Sequence, residues 1–167
     1  GNLHPSMADY ADFIHQQVQR KNIINPVLIG HSMGGGIVLQ LLLRYPSYYA
    51  KALLSNTGAR LKVLPALLLM LTQYPNDWKK QITGSVNDLT KNQLLGLAQA
   101  VSRDPLAPLL QFQACNQFDV LDQLHKVSAD VQVVVADQDL NTPAKYGEYL
   151  AQHIPNTQLH RLPGGHL

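Results

Sequence analysis

The chain has 167 residues, of which 46% are hydrophobic and 14% charged, enough apolar material for about one packed domain and too much for a disordered tail. A balance of 13 basic against 11 acidic residues leaves a net charge of +2; with no basic run longer than the pair Lys79-Lys80, that argues against a nucleic-acid surface. The single cysteine, Cys115, excludes an internal disulfide framework and a multi-cysteine zinc site, and the longest apolar run, residues 63–71, is too short to span a bilayer as a helix.

In chain order, Ser6 stands three residues before Asp9, a hydroxyl cap with an acid behind it that predicts a helix start. Tyr10, Phe13, Ile14 and Val18 continue that helix as one apolar stripe. Residues 26–29 are a short, wholly apolar run ending at Gly30, the pattern of a parallel strand buried on both faces. Gly34-Gly35-Gly36 opens a helix through Arg44, which Tyr45-Pro46 closes. Lys51–Ser55 reads as a second strand. Residues 58–127 show no convincing strand; helical pieces fall at 65–73, 77–82, 89–101 and 106–114, punctuated by Pro75, Pro105 and Pro108. Val131, Val133, Val134 and Val135, with Gln132 as the one polar residue among them, predict a third strand. A helix over 143–153, with Pro143 near its first turn, and a strand at Thr157–Leu162 follow. The alternation predicts an α/β fold, a parallel sheet flanked by helices. It is one domain, with its core in residues 1–57 and 128–167 and a helical lid inserted at 58–127.

Gly30-His31-Ser32-Met33-Gly34 matches G-x-S-x-G, with an apolar strand before it and a helix after it. A serine on a strand-to-helix turn needs a tight backbone, and glycines two before and two after it are expected to prevent side-chain clashes. Such a turn lifts the Ser32 hydroxyl above the sheet and aims the Met33 N–H at a developing oxyanion. The plainer alternative is a glycine-rich turn with a capping serine. His31, inside the turn, is expected to pack or hydrogen-bond below it, and is also counted among the substrate-binding candidates.

A serine hydroxyl needs a base and an orienting acid, and on this architecture the order is Ser, acid, His. His4 and His15 precede the serine. His125 lies at the wrong end of the third strand, His153 near a helix end and His160 inside a strand. His166 follows the last strand through Pro163-Gly164-Gly165, at the carboxyl end of a parallel strand, where ligands bind in open α/β sheets. The acid is Asp139 or Asp137, both in the loop after the third strand. Asp139 is favoured because it sits deeper in the loop before Pro143, whereas Asp137 is placed to hold the turn through backbone N–H groups.

Three stretches make the chain resemble the α/β-hydrolase fold superfamily, in particular its capped esterase and lipase-like members: residues 27–35, the acid loop at 137–143 with an Asp four before a Pro, and Leu162-Pro163-Gly164-Gly165-His166. The resemblance implies a Ser32-His166-Asp139 triad, acyl transfer to water and a carboxylic ester as the default substrate, with no metal or organic cofactor. Members of that superfamily carry earlier strands, a loop with a second oxyanion donor and a final helix. None of these is matched here, so the resemblance implies an internal piece of a longer hydrolase, weakly active or inactive by itself. The same fold serves lyases, C–C hydrolases, acyltransferases and non-catalytic binding proteins.

Asn56 and Arg60 follow the second strand at its carboxyl end and are substrate-binding candidates; Arg60 could instead form a surface ion pair. Leu64, Leu67, Leu68 and Leu71 fall at helical spacing, either as a packed stripe or as an apolar wall for an acyl group. The expected partner is a small, apolar acyl or ester substrate, with no nucleic acid and no membrane span. The absence of disulfides makes the cytoplasm the default compartment.

Overall fold

The computed structural model describes residues 4–73 and 106–167, in the order α1 (Met7–Arg20), β1 (Val27–His31), α2 (Met33–Arg44), β2 (Lys51–Ser55), α3 (Pro65–Gln73), α4 (Ala107–Gln117), a 3-10 turn (Leu121–Lys126), β3 (Asp130–Ala136), α5 (Ala144–His153) and β4 (Thr157–Leu162). The helices expected at 77–82 and 89–101 lie outside the described residues.

The four strands form one parallel sheet in the order β1-β2-β3-β4. Helices α2 and α5 pack on the face that carries Leu28, Leu54, Val131 and Val133, all buried. Gly147 of α5 lies so close to Val135 and Val133 that a Cβ there would overlap them. On the opposite face Val27 is 60% and Ile29 73% exposed. The expectation that β1 is buried on both faces is therefore corrected. The run is apolar throughout, but strand side chains alternate, and among the described residues the helices that pack on the sheet lie on one face of it.

Helix α1 starts as its sequence predicts. Ser6 Oγ accepts from Asp9 N–H at 3.2 Å, and the Ser6 N–H donates to the Asp9 carboxylate at 2.7 Å. Its buried face is Met7, Ala11, His15 and Val18; of the predicted stripe Val18 is buried and Ile14 packs partly buried against the core, while Phe13 is exposed. The stripe read from large apolar residues overlooked His15. Its Nδ1 lies 2.9 Å from the Tyr49 hydroxyl, and its ring stacks on Tyr45 at 3.7 Å. Arg44 and Tyr45 both bind Asp12, which ties α1 to α2.

Candidate active site

Backbone hydrogen bonds carry the parallel ladders past the strand ends. The N–H of Ser32 donates to Ser55 O at 3.0 Å, that of Asn56 to Val134 O at 3.0 Å, that of Asp137 to Leu162 O at 3.1 Å and that of Gln138 to Gly164 O at 2.9 Å. The loops after all four strands are thereby held in one row along the carboxyl edge of the sheet, where bound groups meet a parallel sheet.

Ser32 sits between β1 and α2 at φ 53° and ψ −120°, a region costly for any residue with a Cβ and characteristic of functional turns. Its side chain makes no capping bond to α2, which removes the capping-serine alternative. The turn closes by backbone contact: a Cβ on Gly30 would stand 2.5 Å from Gly34 O, and one on Gly35 would stand 2.5 Å from Thr57 Cβ and Oγ1. A Cβ on Gly34 would meet nothing within 4 Å. The glycines that steric crowding requires are thus Gly30 and Gly35, not the motif's Gly34. Met33 is the first residue of α2, so its amide belongs to the helix N-terminus, where first-turn N–H groups lack acceptors within the helix.

His166 Nε2 lies 2.9 Å from Ser32 Oγ, and His166 Nδ1 lies 2.8 Å from Asp139 Oδ2. Both His166 and Asp139 are buried. The carboxylate is heavily bonded. Oδ1 accepts from Asn141 N–H at 2.8 Å and Thr142 N–H at 2.9 Å; Oδ2 accepts from Asn56 Nδ2 at 2.9 Å and Thr142 Oγ1 at 2.8 Å. Burial pushes the Asp139 carboxyl up, but the hydrogen bonds from Asn56, His166 and Thr142 outweigh it and hold the group below the ordinary value of 3.8. Asp139 is therefore a charged acceptor around neutral pH.

The model of the family described as serine aminopeptidase, S33, matches residues 1–166. The chain belongs to that family, within the α/β-hydrolase superfamily. It is 27% identical over 181 residues to RutD of Serratia proteamaculans, a protein named as a carbamate hydrolase, covering 96% of this chain and 66% of that one. It is 26% identical to the pimeloyl-[acyl-carrier protein] methyl ester esterase of Neisseria meningitidis, covering 79% of this chain and 58% of the relative. A solved thermophilic esterase superposes with a TM-score of 0.77 at 29% identity, covering 97% of this chain and 66% of that one. The chain thus spans somewhat less than two thirds of the length of these proteins.

His31 does not pack below its turn. It is exposed, with its ring centroid 4.8 Å from that of His166, because the last residue of β1 points away from the buried face. Desolvation first, and then the neighbouring His166, push its imidazole below the ordinary 6.5, against the pull of Asp139. Asp137 does not hold the turn through backbone amides. It takes Arg161 in an exposed ion pair at 2.6 Å, with Glu148 on the same guanidinium, while the Asn141 and Thr142 amides of the loop go to Asp139. Asn56 is buried against Asp139. Arg60 pairs with Asp119, Nε donating at 2.7 Å, and borders a cavity of about 500 Å³ shared with Lys62, Lys145 and Tyr146. Cys115 is buried, and burial pushes its thiol up to about 11, so it does not supply a thiolate near neutrality.

Thr142 escaped the sequence reading altogether. The signal available was its place three residues after Asp139, where a threonine hydroxyl and N–H can both return to a loop carboxylate.

Proposed function

We propose that the protein carrying this chain is a serine hydrolase that transfers an acyl group from a carboxylic ester to water. The reading rests on one observation: the continuous contact from Ser32 Oγ through the His166 ring to Asp139, at 2.9 and 2.8 Å. In this reading the glycine-lined turn is a nucleophile elbow. The Ser32 oxygen attacks the carbonyl as His166 Nε2 takes its proton, and the Met33 N–H binds the oxyanion. Collapse breaks the bond to the leaving alkoxide, which leaves with the proton from His166. Water then attacks the acyl-enzyme by the same route and frees the acid. Asp139 stabilises the imidazolium. In this reading the insertion between β2 and β3, whose described helices are α3 and α4, carries the lid and supplies apolar wall to the acyl group, while His31 and the loop bearing Asn56 face the substrate side.

The names of the esterase relatives support an ester, and that of RutD supports a carbamate as the second substrate class. The deciding experiment is fluorophosphonate labelling of the full-length protein with peptide mapping, alongside Ser32→Ala and His166→Ala. Labelling at Ser32 that disappears in the first variant and falls sharply in the second is expected. A folded protein that takes no label would refute the mechanism and favour a binding protein on the same fold. A paired panel of activated esters and carbamates then ranks the two substrates.

A further inference from the structure

The sequence of acceptors around His166 Nδ1 has a consequence for its proton. Two oxygens face that nitrogen: Asp139 Oδ2 at 2.8 Å and Thr142 Oγ1 at 3.2 Å. Asp139 is ionised and can only accept. The Thr142 hydroxyl carries one proton, and two acceptors compete for it at 2.8 Å each, Asp139 Oδ2 and the carbonyl oxygen of Asn56. Both lie nearer than Nδ1, and one of them is charged, so the hydroxyl turns a lone pair toward the ring.

With acceptors on both sides, Nδ1 must carry hydrogen in the neutral imidazole. Nε2 is then bare, and it is the atom 2.9 Å from Ser32 Oγ. Asn56 acts twice in this arrangement. Its side-chain Nδ2 donates to Asp139 Oδ2 at 2.9 Å, and its carbonyl engages the Thr142 hydroxyl. Its backbone, at φ 49°, lies in the left-handed region that asparagine tolerates better than most residues. Asn56, Thr142, Asp139 and His166 are all buried, so bulk water does not compete for these bonds.

We propose that Asn56 and Thr142 are positioning residues that fix the tautomer of His166, keeping its proton on Nδ1 and its Nε2 lone pair toward Ser32. The proposal rests on the serine-hydrolase reading for its catalytic consequence, but its physical content, the location of one proton, does not depend on turnover.

The test uses the full-length protein and three variants. Thr142→Val deletes the hydroxyl and keeps the branched shape. Thr142→Ser restores the hydroxyl. Asn56→Gly keeps a residue suited to positive φ and the backbone carbonyl while removing the amide donor. The readouts are imidazole nitrogen NMR shifts of His166, the fluorophosphonate labelling rate, and kcat and KM on an activated ester.

Wild-type protein is expected to show the Nδ1–H tautomer. Thr142→Val should move the ring toward a mixture of tautomers and lower kcat and labelling by roughly 10- to 100-fold, the scale of one hydrogen bond to a charged group, with KM within about twofold. Thr142→Ser should restore both. A Thr142→Val protein that keeps the wild-type tautomer and kcat overturns the proposal, whether or not its melting temperature falls. If that variant does not fold, Asn56→Gly decides: a roughly tenfold drop in kcat at unchanged KM supports the proposal, and an unchanged kcat overturns it. Wild-type protein that shows the tautomer but neither labels nor turns over ester would sink the hydrolase reading and leave the tautomer assignment to the NMR of the variants.

Discussion

Gly35 and Thr57 are in direct contact, and the contact sets the turn that carries Ser32. A Cβ on Gly35 would come within 2.5 Å of the Thr57 Cβ and Oγ1, while the Thr57 hydroxyl donates to the Ser32 carbonyl at 2.7 Å. Thr57 therefore braces the turn from the loop after β2, and only a residue without a side chain fits beneath it. Gly35→Ala should destabilise the protein by about 1–3 kcal/mol, the usual range for overpacking, and should slow labelling of Ser32. Gly34→Ala meets open space and exchanges a glycine in the first turn of α2 for alanine, so it should be neutral or stabilise by less than the roughly 1 kcal/mol of a helix interior. Urea denaturation of the two variants checks both. Equal stabilities would show that Gly34 and Gly35 are not distinguished by crowding.

Arg60 was expected to meet either a substrate carboxylate or a surface acid, and in the structure its guanidinium is engaged by Asp119. Both side chains are solvent-exposed to more than a third, a setting in which an ion pair contributes about 1 kcal/mol or less. Arg60→Ala is therefore expected to shift stability by less than about 1 kcal/mol and to leave KM for a neutral ester unchanged. Steady-state kinetics on esters with and without a carboxylate in the acyl chain make the check. A large KM rise confined to the charged ester would return Arg60 to the substrate side.

The contrast between these residues shows what a linear reading captures. Strands β2 and β4 are found where their composition places them, Lys51–Ser55 and Thr157–Leu162, because short apolar or alternating runs bounded by turn residues are local signals. Ser32, Asp139 and His166 were legible for a related reason: each follows a recognisable strand, and strand ends in a parallel sheet share one edge. The partners of Asp139 were not legible. Asn56 meets it across 83 residues, and no local pattern encodes which side chain of the loop after β2 turns inward. The choice between Gly34 and Gly35 was hidden in the same way, since the crowding comes from Thr57, which is distant in sequence. The exposed face of β1 was misread because an apolar run states what a strand could bury, not which of its faces is covered.

His31 gives the protein an acid-sensitive element beside the site. Desolvation and the nearby His166 hold its folded value below 6.5, so the folded chain binds this proton less readily than the unfolded chain does. The sign follows by linkage: His31 has no effect where both states are neutral, well above 6.5, and it destabilises the fold progressively as pH drops from there toward the lower folded value. His31→Gln should remove that component. Thermal melts from about pH 8 to about pH 5, the window in which histidine titrates, should show wild-type protein losing more of its melting temperature than the variant. Parallel curves would mean that His31 is freely solvated despite its neighbour.

Asp139→Asn asks whether the buried acid is held by its charge or only by its shape. The carboxylate accepts from two backbone N–H groups on Oδ1, and from Asn56, Thr142 and His166 on Oδ2. Every partner is arranged as a donor. An asparagine must turn its NH2 toward one of these sets, whichever way the amide is flipped. The mismatch should cost about 1–3 kcal/mol for each polar group left unsatisfied, measurable near neutral pH. Below the ordinary carboxylate value of 3.8 the comparison changes. The lowered folded value makes the wild-type contribution fully present above 3.8, and it is lost as pH falls through that lower value. The stability gap between wild type and variant should therefore narrow in strong acid. In the hydrolase reading the variant also lets His166 take the wrong tautomer, and a loss of about 10⁴-fold in kcat is the scale seen when a triad acid is replaced this way. Denaturation at several pH values and single-turnover ester hydrolysis read the two effects separately. A variant as stable as wild type at neutral pH would show that the donors around Asp139 relax around an amide, and that the carboxylate's charge does not organise this loop.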